Sequence, residues 1–254
     1  MPPFDIYFVA VAITAVLIVG LSKAGLLGSL GMVGVPLLSL VMPPRDAAGM
    51  MLPVLLVMDA VAVYAYRKEF NWQIIWIMLP GAAVGTLIGW ALWAVVSEAA
   101  VLLFVGVITL LFVLDAILPI RKKLEGLPPS KPWGTFWGGF AGFTSFISHT
   151  GGPPFQIYVL PQRLPPAIYA GTSAVFFAIV NSAKLIPYFF LGQLNVHNLQ
   201  LSAALAPVGL IGVFAGIWLV RRVSMKLFYR IAYWLVFLLA LKLVWDGARG
   251  VFGI

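Results

Sequence analysis

The sequence predicts an all-α, polytopic integral membrane protein: one transmembrane domain, 1–254, built from two inverted five-segment repeats. Each repeat is expected to be a re-entrant or broken helical hairpin followed by three spanning helices. Three observations carry this reading. Apolar runs of span length recur with few charges, punctuating residues of the two halves match at nearly fixed offsets, and the basic loops change ends between them.

Hydrophobic residues make up 62% of the 254 positions and charged ones 9%, where a soluble domain carries about 25% charged residues. Runs near or above ~20 apolar residues recur along most of the chain, the length a bilayer-spanning helix requires. The longest hydrophilic stretch, Arg121 to Lys131, is the expected linker between repeat 1 (1–120) and repeat 2 (132–254). The net charge of +8 sits in short loops at the ends of apolar runs, so it reads as a topology signal and excludes nucleic acid as a partner. With no cysteine, disulfides, thiol redox chemistry and thiolate metal sites are excluded. Met1 to Asp5 lacks the basic region of a signal peptide, so the first apolar run is expected to be retained.

The duplication is visible by offset. Asn71, Gln73, Pro80, Gly85, Gly89 and Ser97 map without a gap onto Asn198, Gln200, Pro207, Gly212, Gly216 and Ser224 when 127 is added. Gly49 and Asp59 map onto Gly171 and Asn181 at 122, and Gly34 and Pro36 onto Gly152 and Pro154 at 118. A few residues inserted around Pro161 to Pro166 account for the drift.

Each half parses into five pieces. In the first, a run from Phe4 to about Gly20 enters a glycine-rich stretch, Gly25 to Gly34, and then a short segment to Met42 stopped by Pro43-Pro44. Helices are expected at 47–66, 72–93 and 98–119. The second half repeats this with 133–149, the turn Gly151-Gly152-Pro153-Pro154, a short segment to Leu160, and helices at 167–190, 198–220 and 225–246. Asn71, Ser97, Asn198 and Ser224 are expected as N-caps. From Trp133 to Leu160 there is too little chain for two spans. Glycine and proline at the junction leave backbone groups unpaired, which is tolerated at membrane depth only inside protein or along a wet cavity. Each pair of opening pieces therefore reads as a hairpin re-entering near mid-membrane; one kinked helix plus an interfacial loop is the alternative.

Loop charges set the relative orientation. Arg67-Lys68 and Arg121-Lys122-Lys123 close the third and fifth pieces of the first half. In the second half the loop from Gly192 to Asn195 is uncharged, and Arg221, Arg222 and Lys226 sit at the opposite end. If basic loops stay cytoplasmic, the halves are inverted and both termini are non-cytoplasmic, an architecture common among secondary transporters.

Ionisable groups inside apolar segments are costly and so mark function. Asp59 lies in the third piece, and Lys184 lies one turn beyond Asn181 in its counterpart. Since Asp59 and Asn181 are repeat equivalents, their helices are expected to meet, allowing an Asp59–Lys184 charge pair that is either structural or functional. Lys23 stands at the entrance to the glycine-rich stretch, and His149 precedes Thr150, Gly151 and Gly152. Free N–H groups at a hairpin tip attract anions, and a lysine or imidazole there adds to that. The competing readings are interfacial snorkelling for Lys23 and a satisfied interior histidine for His149. Gly85, Gly89, Gly212 and Gly216 are expected to let helices approach closely, Pro80 and Pro207 to kink their spans, and Asp115 and Lys242 to lie at the interface. Enzyme motifs and a P-loop are absent, so no catalytic residue, metal or cofactor is expected.

At these residues the chain resembles the sulfite exporter TauE/SafE family, also called the toluene-sulfonate uptake permeases. In the first half the likeness rests on Ser22-Lys23-Ala24-Gly25, Gly31, Gly34, Pro36, Pro53, Asp59 and Pro80-Gly81. In the second it rests on His149-Thr150-Gly151-Gly152-Pro153-Pro154, Tyr158, Gly171-Thr172, Phe176-Phe177, Asn181, Lys184 and Gly192. Here Gly28, Gly31 and Gly34 are interrupted by bulkier residues, where many members carry a denser glycine run. The resemblance implies a secondary transporter of small sulfur-containing or organic anions such as sulfite or sulfonates.

The expectation is an inner-membrane anion transporter working by alternating access. Lys23, His149 and Lys184 attract the anion, Thr150, Gly151 and Gly152 donate backbone bonds, Asn181 orients it, and Asp59 couples a proton. Its partners are the small anion and the lipid bilayer, and a homodimer stays open. An anion channel would differ in unsaturable flux, and a membrane-embedded enzyme or partner subunit in product formation or dependence on a second protein.

Overall fold

Inside a lipid phase the backbone can satisfy its own N–H and C=O groups locally only as helix, and the computed structural model follows that constraint. It describes residues 6–23, 30–93, 95–118, 130–162, 164–219 and 225–253. The helices are α1 (Ile6–Leu21), α2 (Gly34–Leu38), α3 (Pro44–Ala65), α4 (Trp72–Trp93), α5 (Glu98–Ile117), α6 (Lys131–Ser148), α7 (Gly152–Val159), α8 (Pro166–Phe190), α9 (Val196–Leu219) and α10 (Met225–Phe252). A 3-10 turn, Leu30–Val33, leads into α2, and another, Leu160–Gln162, follows α7. Five stretches among the described residues are long and apolar enough to cross a membrane: Ile6–Lys23, Pro44–Ala65, Trp72–Trp93, Ala167–Phe190 and Val196–Trp218.

The expected boundaries hold to within a few residues, except that α10 runs six residues past the expected end at 246. Asn71 and Ser97 cap as expected, accepting from the N–H of Ile74 at 3.3 Å and of Ala100 at 3.2 Å. Asn198 does not cap. Helix α9 starts earlier because Asn195 takes that role, accepting from the Asn198 N–H at 2.9 Å, while Asn198 Nδ2 donates to Gln193 O at 2.8 Å. Ser224, Arg221, Arg222 and most of the linker lie outside the described residues, as do Gly25 and Gly28. The helices that follow the short segments, α3 and α8, both open on a proline pair, Pro43-Pro44 and Pro165-Pro166. Proline suits the first helical position because its missing N–H would be unpaired there anyway.

Packing exchanges symmetrically between the halves. The principal contacts are α4 with α6, α1 with α9, α5 with α10, α3 with α9, α3 with α8 and α4 with α8. Swapping each element for its counterpart in the other half turns the α4–α6 contact into α9–α1 and the α3–α9 contact into α8–α4. The α5–α10 and α3–α8 contacts are left as they are. Close glycine contacts give the directions. A Cβ on Gly81, Gly85 or Gly89 would meet Thr135, Gly139 and Phe146 in turn, so α4 and α6 run parallel. On Gly106, Gly247 and Gly250 it would meet Val244, Leu103 and Ala99, so α5 and α10 run antiparallel. Helices α3 and α8 are antiparallel too: Gly171 faces Tyr66 and Glu69, whereas Gly49 faces Gln193.

The hairpins occupy the interior of this frame. Helix α7 packs back on α6, and α2 with its 3-10 turn packs back on α1. Eight residues make α7 about 12 Å long, well short of a span. Two apolar clusters surround the hairpins, one around Val16, Leu38, Met51, Phe146 and Tyr188 and the other around Ile75, Met78, Phe155 and Phe176. Trp76, Leu87, Ile211 and Phe214 point outward, as lipid-facing residues do.

Gly85 is the most direct test of this packing, since a Cβ there would stand 2.0 Å from Gly139 O. Gly85→Ala should cost about 1–3 kcal/mol by forcing two backbones apart, while Ile88→Ala on the outer face should cost little. Thermal unfolding in detergent measures both, and equal melting of the two variants would contradict the parallel α4–α6 contact.

Candidate functional site

Helix α6 ends on an unusual residue for that position. His149 adopts φ +55°, a left-handed conformation, and its N–H returns to the helix end. A C-terminal left-handed residue is usually glycine or asparagine. Here both ring nitrogens are anchored: Nε2 lies 3.0 Å from Ala48 O on α3, and Nδ1 lies 2.8 Å from Lys184 Nζ on α8. The chain then turns through Thr150 and Gly151 into the N-terminus of α7. At the other hairpin, the Gly31 N–H donates to Ser22 Oγ at 2.7 Å, fastening the 3-10 turn to the end of the first span.

Between the described parts of the two hairpins lies a cavity of about 60 Å³, large enough to admit water and small ions. Ser22, Lys23 and Gly31 line it from the first hairpin and Ser145, His149 and Gly152 from the second; α8 closes it with Tyr169, Ser173, Phe177 and Asn181. Asp59 and Asn181 each lie within roughly 7 Å of their helix midpoints, so the cavity sits in the middle of the helical frame.

Asp59, Lys23 and Asn181 form one polar group beside it, and Lys184, Ser145 and His149 form another. Asp59 accepts from Lys23 Nζ on Oδ1 and from Asn181 Nδ2 on Oδ2, the latter at 2.6 Å. Asp59 is 2% exposed and Lys23 14%. Lys184, with no exposed surface, donates to Ser145 O at 2.9 Å, Ser145 Oγ at 3.0 Å and His149 Nδ1. The charge pair expected between Asp59 and Lys184 is therefore not formed. Asn181 stands opposite Asp59, and Lys184, three residues further along α8, reaches the end of α6 instead. Lys23 is not snorkelling; it is the ion-pair partner of Asp59 and lies 5.9 Å from the Phe177 ring centre.

Of the residues singled out in the sequence, Lys23, His149, Gly152 and Asn181 line the cavity. Thr150 and Gly151 stand behind its wall. The Thr150 hydroxyl is turned to Ser148 Oγ at 2.9 Å and Thr144 O at 3.3 Å, and Gly151 is pressed against Ala141 and Phe177. Lys184 stands behind His149 and Ser145. Sequence reasoning missed Ser145 and Ser173 as lining residues. Ser145 lies one helical turn before His149 and Ser173 two turns before Asn181, so a search along those helix faces would have found them. Lys242 pairs at the surface with Asp246.

A family model described as Sulfite exporter TauE/SafE matches residues 12–243. No curated protein and no solved structure matches the chain.

Removing one partner of a buried ion pair strands the other, at a cost of about 3–5 kcal/mol. Lys23→Met should therefore lower thermal stability markedly, and Lys23→Met/Asp59→Asn should recover most of the loss. A double variant as unstable as the single one would contradict the pairing of these two residues.

Proposed function

The chain belongs to the sulfite exporter TauE/SafE family, a multi-pass membrane transport protein, and from that premise we propose that it carries small sulfur oxyanions, sulfite or compact sulfonates, by alternating access around the cavity between its two hairpins. The observation that carries the reading is the composition of that cavity. Residues of both hairpins line one small space, with an ammonium group, hydroxyls and the N-terminus of α7 at its walls. Helix N-termini favour anions.

Each polar group has a part in this proposal. An ammonium has three donors, so Lys23 can hold Asp59 and an incoming anion together. Ser145 Oγ accepts from Lys184, which leaves its own hydrogen to donate into the cavity, so Lys184 acts on the anion through that hydroxyl. Thr150 and Gly151 shape the turn that aims Gly152 and α7 at the cavity. Asn181 steadies the carboxylate of Asp59, which competes with the anion for Lys23.

We read the frame as an inverted repeat in an inner membrane, with both termini non-cytoplasmic. The antiparallel courses of α3 against α8 and of α5 against α10 support the inversion, because those helices are repeat equivalents. Basic residues at Arg67-Lys68 and in the linker support the orientation. Rocking one repeat against the other would open the cavity to either side.

Reconstituted into liposomes, the protein should transport radiolabelled sulfite with saturation. Ser145→Ala, which keeps the backbone carbonyl that Lys184 uses, should raise KM for sulfite about tenfold, equivalent to ~1.4 kcal/mol, with no loss of folded protein. Flux rising linearly with concentration would overturn alternating access, and an unchanged KM would remove the cavity as the binding site.

A further inference from the structure

The polar interior holds two ammonium groups and one carboxylate. Both oxygens of Asp59 are occupied, by Lys23 and by Asn181. Lys184 is left without a carboxylate of its own among the described residues, although no part of it is exposed. The charged groups acting on it are Lys23 at the end of the first span and Asp59 on α3, and those acting on His149 are Lys184 and Lys23. The other ionisable side chains nearby are Tyr188, whose hydroxyl donates to Phe146 O, and Tyr169 on the cavity wall. A buried charge lacking a counter-charge is strongly disfavoured.

The bonding specifies where the hydrogens lie. Ala48 O can only accept, so His149 Nε2 carries a hydrogen, and Nδ1 accepts from Lys184. Nζ and Nδ1 thus share one proton beyond the neutral pair. With that proton and an empty cavity the interior carries one uncompensated positive charge; without it the interior is neutral. A monovalent anion in the cavity reverses the balance, making the protonated interior the neutral one.

We propose that the Lys184–His149 pair is the proton-coupling element: it takes up one proton for each monovalent anion bound in the cavity, so that loaded and empty carriers are both neutral. The proton enters with the anion and leaves with it, making net transport an electroneutral proton–anion co-transport. Ser145 links the two events, since its Oγ accepts from Lys184 and borders the cavity. This inference rests on the anion-transport reading above. It takes the coupling proton away from Asp59, which is ion-paired to Lys23.

The test uses the full chain in liposomes, with membrane potential clamped by potassium and valinomycin. The probe is radiolabelled methanesulfonate, which keeps a single negative charge at every pH used, with sulfite in parallel. In the wild type, an acidic exterior should accelerate methanesulfonate uptake, and an imposed potential should change the rate by less than about twofold. Lys184→Arg keeps the charge permanently, so the ratio of pH-driven net uptake to methanesulfonate exchange should fall at least ~10-fold, whatever happens to KM. His149→Asn gives a second variant in case the arginine does not fit. Its amide oxygen can accept where Nδ1 does, and asparagine tolerates the left-handed backbone. With the imidazole gone Lys184 alone can hold the proton, so the pH at which uptake is half-maximal should shift from the wild-type value, and an unshifted profile would overturn the sharing. Uptake in the wild type that follows potential rather than pH would overturn the coupling while leaving transport intact, as would a folded Lys184→Arg with full pH-driven uptake. No uptake of either anion would overturn the transport reading itself.

Discussion

The carboxylate of Asp59, out of water and held from both halves of the chain, is the constraint on which the rest of the molecule depends. Lys23 reaches it from the end of the first span and Asn181 from the repeat-equivalent position on α8. A buried carboxylate demands partners, and supplying them brings the end of the first span, α3 and α8 together beside the cavity. The cavity is what remains between those elements once the carboxylate is satisfied. Because Lys23 both closes the ion pair and borders the cavity, an entering anion meets a cation already engaged with an internal rival.

Close helix contacts make this arrangement rigid enough to matter. Glycines on α4 and α6 bring two backbones within contact distance, and Gly20 and Gly212 do the same for α1 and α9. In lipid the packing of small residues does what the hydrophobic effect does in water. Helix α4 thereby packs along α6, and α9 along α1. Lys184 bonds both Ser145 and His149, and both of these border the cavity.

Much of the fold was legible because membrane sequences are constrained by length and charge. Apolar runs located the helices, the fixed offsets between halves paired α3 with α8, and the glycine-proline junctions located the hairpins. The site was legible in part. Lys23, His149, Asn181 and Asp59 stood out because ionisable or amide groups are rare in such runs. Which lysine pairs with Asp59 was not legible, since that depends on where two hairpins place their ends in space. Serines were overlooked for a different reason: a hydroxyl in a membrane helix can bond back to its own backbone, as Thr144 does to Phe140 O, so Ser145 carries no signal by composition alone. The cap of α9 was misplaced because Asn195 and Asn198 offer the same side chain three residues apart.

The account turns on the anion lying between the two hairpins, and a structure of the protein with sulfite bound in lipid nanodiscs tests that most directly. Density for the anion should lie between Lys23 Nζ, Ser145 Oγ and the first turn of α7, with Asp59 still facing Asn181. Density elsewhere, or an unchanged and empty cavity at saturating sulfite, would contradict it.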